Sequence, residues 1–150
     1  TVPRLYSYYV FPSKITVEDV DELQVVIGVG KRLEIERKND NFTFKLEGGI
    51  YSGGILSNED VRQIVEEINY FFSAAKPDYI RWYSERMGFC LPLRQTPISW
   101  MRIRLKHGQE VYIEHNHNLV YYINKYPYKF HHKDPAQVIW NLSISRIGKW

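Results

Sequence analysis

Residues 31 to 48, KRLEIERKNDNFTFKLEG, alternate apolar and polar side chains on either side of the pair Asn39 and Asp40. Period-two alternation marks a strand with one buried face, and adjacent Asn and Asp are turn chemistry. With the turn at Asn39 and Asp40, Ile35 falls opposite Phe44 and Leu33 opposite Leu46, while on the other face Glu34 meets Lys45 and Arg32 meets Glu47. One register therefore satisfies both faces. A slip of one residue would turn the whole apolar set to solvent, so the pattern predicts a hairpin over 31–47. A hairpin with one apolar face needs further strands beside it and a layer to cover it.

That cover is legible downstream. In SNEDVRQIVEEINYFFSAAK, Ser57 suits an N-cap, acidic residues fill the first turn, and Val61, Ile64, Val65, Ile68 and Phe72 recur at helical spacing. The spacing predicts an amphipathic helix over 58–74. The segment from Ile98 to Asn124 reads as a three-stranded meander. With His107, Gly108 and Gln109 as its first loop, Ile103 falls opposite Ile113 and Arg104 opposite Tyr112; with Asn116 and His117 as its second turn, Ile113 opposes Val120 and Tyr112 opposes Tyr121. Asp134 and Pro135 suit the start of a C-terminal helix, although LSISRI also alternates as a strand would.

Weaker signals fill the remainder. RLYSYYVF reads as an opening strand, and TVEDVDELQVVIG as a short helix capped through Thr16 and Asp19, closed by Gly28, with Val20, Leu23 and Ile27 inward. GGIYSGG reads as a loop or bulge. KPDYIRWYSERMG suggests another short helix, with Pro77 near its start and Gly88 at its end, burying Ile80, Met87 and one of Tyr83 and Trp82. The expected fold is α+β: an antiparallel sheet of about five or six strands packed against the helix at 58–74 and a C-terminal helix. The 150 residues are read as one globular domain.

Hydrophobic residues at 44% and charged residues at 25% are ordinary for a globular chain, which argues against disorder. Cys90 is the only cysteine, so no internal disulfide can form, and no apolar run approaches a membrane span of roughly 20 residues. A cytoplasmic protein without membrane association or cofactor is the expectation. Charge is distributed unevenly. Residues 1–75 carry 8 Lys and Arg against 12 Asp and Glu; residues 76–150 carry 12 against 5. A basic second half points to an anionic partner, or the two halves neutralise each other once folded.

Two constellations could carry a function. Arg102, Arg104 and Lys106 share one face of a strand, and Tyr112 and Tyr121 are placed beside them by the predicted registers. Cations beside rings suit an acidic protein surface, or single-stranded nucleic acid with phosphates on the cations and bases on the rings. Glu110 and Glu114, set opposite in the same hairpin, oppose that by local neutralisation. The second constellation is His115, His117, His131 and His132 with Lys129. Two imidazoles and a cation are the parts of metal-independent RNA cleavage. HxH and HH separated by thirteen residues are not a zinc-ligand spacing, even with Asp134 nearby, and Glu114 points away from His115. No metal is expected. The leading reading is a non-enzymatic interaction module, a small inhibitor or immunity-type protein that binds an acidic protein surface, with a homodimer as another use of its aromatics. The second is an RNA-binding or RNA-cleaving domain.

Overall fold

The computed structural model describes residues 14–28, 30–47, 53–90, 96–116, 120–130 and 134–147, the side chains of 146 and 147 excepted. Among them, nine strands form one open antiparallel sheet: β1 (Val20–Ile27), β2 (Lys31–Lys38), β3 (Asn41–Glu47), β4 (Gly53–Leu56), β5 (Lys76–Pro77), β6 (Ser99–Leu105), β7 (Glu110–His115), β8 (Tyr121–Ile123) and β9 (Tyr126–Lys129). Their order is β4-β3-β2-β1-β6-β7-β8-β9-β5. Three helices accompany the sheet: α1 (Asn58–Ala74), α2 (Tyr79–Arg86) and α3 (Pro135–Ile147). The α+β class, the helix at 58–74 and the C-terminal helix are as the sequence predicts, with more strands than the expected five or six. The predicted opening strand lies outside the described residues.

The hairpin β2–β3 adopts the predicted register, with Leu33 opposite Leu46 and Ile35 opposite Phe44. Asn39 turns with φ 56, a conformation that asparagine tolerates better than most residues. Leu23, Val25, Leu33, Ile35, Phe42, Met101, Ile103 and Ile113 are buried along one face, over which α1 and α3 pack. α1 contributes Val61, Ile64, Val65, Ile68, Phe71 and Phe72 to that core, and its start is fixed by a reciprocal pair of bonds: Ser57 Oγ accepts from Asp60 N and Asp60 Oδ2 from Ser57 N, each at 3.2 Å.

Three expectations are corrected. Residues 16–28 form a single 3-10 turn, Val17–Asp19, and then the central strand β1, not a helix. Thr16 Oγ1 donates to Asp19 Oδ2 at 2.8 Å, a bond between side chains that leaves the backbone of the turn uncapped. Beyond it Leu23, Val25 and Ile27 alternate, and β-branched Val25, Val26 and Ile27 fit a pleated, half-buried surface better than a helix. The glycine run is also strand in part. Gly54 stands opposite Phe44 in β4, where an added Cβ would come within 2.8 Å of the Phe44 ring.

The third correction concerns the meander. β6 and β7 close two residues earlier than expected, with Ile103 opposite Val111, Arg102 opposite Tyr112 and Arg104 opposite Glu110, so each residue keeps its predicted face. A left-handed His107 (φ 68) tightens this loop. β7 and β8 differ by an odd number. Asn116 N bonds Val120 O at 3.1 Å, a longer connection than a two-residue turn, and His115 falls opposite Tyr121. An odd shift exchanges the faces of a strand. Tyr121 therefore joins the covered face, while Tyr122 stands with Glu114 and the polar face. Tyr121→Ala is expected to cost about 3 kcal/mol, as for other large buried aromatics, and Tyr112→Ala less than half of that. Urea unfolding of the two variants checks the register; equal losses would contradict it.

Candidate functional site

The predicted cationic stripe exists on the polar face, but it is not free. Arg102 and Arg104 both reach Glu22 of the adjacent strand β1, Arg102 at 3.5 Å. Gln24 donates to the same Glu22 at 2.6 Å and to Glu34 at 3.3 Å, and Arg32 is bound to Glu34 at 2.8 Å. Arg32 also lies over Trp100, whose ring sits 5.7 Å from that of Tyr112. Lys106 stands apart from this network in the exposed turn after β6. Burial, then the charge of Glu114, push the Tyr112 phenol up to about 12 against the pull of Arg102. The sheet face is thus an internally paired surface of mixed sign. The neutralising residue is Glu22, which sequence reasoning missed because it placed residue 22 on a helix.

The histidines divide. His117, His131 and His132 lie outside the described residues. His115 is buried, stacked on Tyr121 with ring centroids 4.5 Å apart, and its Nδ1 is 3.3 Å from Asp134 Oδ2. Facing an ionised carboxylate, which only accepts, Nδ1 carries the hydrogen and donates. Ser99, opposite His115 in the ladder, donates its hydroxyl to the same Asp134 oxygen, and Asp134 Oδ1 accepts from Ala136 N at 3.0 Å at the start of α3. Tyr121 is pushed up to about 12 by burial and then by the nearby Asp134 charge. Lys129 belongs to another setting: it is exposed on β9, 3.9 Å from Asp78. Among the described residues no three His, Cys, Asp or Glu side chains are grouped to hold a metal.

The Ser99, His115 and Asp134 cluster ties α3 to the sheet end. It has the residue types of a nucleophilic triad without the order: Ser99 bonds the carboxylate, not the imidazole. His115 Nε2 and both amide atoms of Asn116 are buried with no hydrogen-bond partner among the described residues. Burial alone would raise the Asp134 carboxyl, but bonds from His115, Ser99 and Ala136 outweigh it and hold the group below its ordinary value.

The feature that departs most from expectation is α2. Asp78 caps it, accepting from Arg81 N at 3.1 Å. The side turned to the protein carries Arg81, Trp82 and Glu85: Trp82 is buried, and the Tyr122 hydroxyl accepts from Arg81 Nε at 3.1 Å and donates to Glu85 at 2.7 Å. The apolar stripe Ile80, Tyr83 and Met87, spaced to share one helix face, is turned outward at 75%, 53% and 50% exposure, followed by Phe89 at 76%. Sequence reasoning placed Ile80 and Met87 inward because apolar spacing on a helix normally faces a core. Here the ion pair is inside and the apolar face outside.

Beside α2 an open cavity of about 570 Å³ is lined by residues of its own turn and of β8 and β9, including Arg81, Cys90, Tyr121, Tyr128, Lys129 and Phe130. No family model matches this chain, and no curated protein or solved structure matches it either. Among the described residues no helix is long and apolar enough to cross a membrane.

Asp134→Asn keeps a cap for α3 but removes the charge that Ser99 and His115 address. A carboxylate held below its unfolded value contributes stability above about pH 4 that is lost as pH falls through its folded value. The variant is therefore expected to be about 1–3 kcal/mol less stable at pH 7, with the gap closing toward pH 2. Urea unfolding at both pH values measures this; a gap that persists unchanged in acid would refute the ionic role.

Proposed function

We propose that the chain is a non-enzymatic protein-interaction module that binds an acidic protein surface through the outward stripe of α2. The observation that carries this reading is the inverted helix, with Ile80, Tyr83 and Met87 exposed while Arg81 and Glu85 are turned in. A large apolar side chain left in water forgoes about 1.5–3 kcal/mol of burial, and exposed apolar groups that form a patch mark interaction sites. Tyr and Met are also residues that interfaces favour.

The charges around the stripe select the partner. Asp78 and Glu85, the acidic residues of this region, are largely covered, at 19% and 11% side-chain exposure. Lys76, Arg86 and Lys129 are exposed around it, with Lys76 directly opposite Lys129 in the ladder. An apolar centre with a cationic rim complements an acidic surface that carries an apolar anchor. The sheet face offers less, since Arg102 and Arg104 already share Glu22. The RNA-cleaving alternative draws less support, since His115 is buried against Asp134 and Lys129 stands by Asp78.

The test compares wild type with Tyr83→Asp and Met87→Asp, each an exposed position where folding is expected to survive. A partner recovered from the native source by wild type should bind either variant at least tenfold more weakly, which is about 1.4 kcal/mol, and wild-type affinity should fall with salt. Equal binding by the variants would remove α2 as the contact surface. Light scattering covers the remaining occupant: a wild-type dimer dissolved by Tyr83→Asp would assign the stripe to a second copy of this chain and overturn the acidic partner.

A further inference from the structure

The cavity beside α2 has a chemistry of its own. One wall is aromatic, with Tyr121, Tyr128 and Phe130, and Val120 and Ile80 extend it with aliphatic surface. Tyr121 is held by the stacked His115 and by Phe130, whose ring centroid is 5.0 Å away. That wall is therefore set before any ligand arrives. At about 570 Å³ the cavity falls within the range of small-molecule sites, roughly 300–1,000 Å³.

Its polar side is cationic. Arg81 lines it with its Nε engaged by Tyr122 and Glu85, while the two terminal guanidinium nitrogens have no partner among the described residues. The Tyr122 and Glu85 contacts fix the plane of the guanidinium, which is what a bidentate acceptor requires. Lys129 lines the same side, and Ser84 adds a hydroxyl. Asp78, the one acidic lining residue, is turned to the α2 start and to Lys129.

We infer that this cavity binds a small carboxylate carrying an aromatic ring, with the carboxylate on Arg81 and Lys129 and the ring against Tyr121, Tyr128 and Phe130. The orientation follows from the division of the lining: a ring packs on the aromatic side with no polar atom of its own to satisfy, and the guanidinium and ammonium opposite are the charged donors an anion requires. This site does not depend on partner docking, although Ile80 borders both surfaces.

Phenylacetate serves as the probe, titrated into the isotope-labelled protein and followed by amide shifts up to about 20 mM, since a fragment of this size binds in the millimolar range. Saturable shifts are expected at Arg81, Ser84, Val120, Tyr121 and Lys129. Benzyl alcohol, with the ring and no charge, should bind at least tenfold more weakly, and Lys129→Gln should weaken phenylacetate several-fold. Arg81→Gln should weaken it further, but that change also loosens the Tyr122 contact, so Lys129→Gln is the deciding variant. Lys45→Gln, a loss of one exposed cation on β3 toward the opposite end of the sheet, should leave the affinity unchanged. Absence of saturable shifts, equal affinity for benzyl alcohol, or indifference to Lys129→Gln would each overturn the assignment.

Discussion

Glu22 stands at the seam on which the sheet depends. β1 is the strand between β2 on one side and β6 on the other, so it joins the β2–β3 hairpin to the meander that begins at β6. Glu22 is mostly covered, at 15% side-chain exposure, and receives Arg102 and Arg104 from across that seam and Gln24 from its own strand. A covered carboxylate without such partners would carry a desolvation cost of several kcal/mol, so cations on β6 are what make an acid tolerable at this position. The opposite face of the same strand places Leu23 between Ile35 and Ile103, and Val25 between Leu33 and Met101. One strand thus closes the charge account of the polar face and the apolar continuity of the core.

This seam also decides where function can reside. At the β1–β6 border Glu22 takes up both Arg102 and Arg104, so these two cations of the sheet face are already engaged within the fold. Exposed apolar surface stands at the far end, on α2. There an ion pair is used internally, on Tyr122, and the apolar residues are left outside. The proposed docking stripe and the proposed carboxylate cavity both follow from that inversion, because Arg81 is fixed from behind by the same contacts that turn Ile80 and Tyr83 outward.

Much of the fold was legible because it rests on local periodicity. The β2–β3 register and the buried face of α1 follow from spacing alone, since in each case one arrangement satisfies all the side chains. β1 was misread because Thr16 and Asp19 have the spacing of a helix start; the two side chains bond each other, but neither caps the backbone, and the turn stops at Asp19. The even shift at β6–β7 left faces intact, whereas the odd one at β7–β8 moved Tyr121 from the supposed binding face to the side of His115. Loop length, which nothing in the flanking alternation fixes, made that difference. The α2 stripe was visible as a stripe, yet its direction depends on Tyr122, forty-one positions away from Arg81. Long-range partners of this kind, Glu22 with Arg104 and Ser99 with Asp134 among them, are not encoded in spacing.

The central claim is that the free protein holds its ion pair inward and its apolar stripe in water at α2. Hydroxyl-radical footprinting of the isolated chain, read residue by residue by mass spectrometry, tests it directly. Tyr83, Met87 and Phe89 should oxidise rapidly, while Trp82 and Tyr122, although intrinsically reactive, should be protected until the protein is unfolded. Protection of Tyr83, Met87 and Phe89 to the level of Trp82 would show the stripe to be covered within the chain, and would contradict the account.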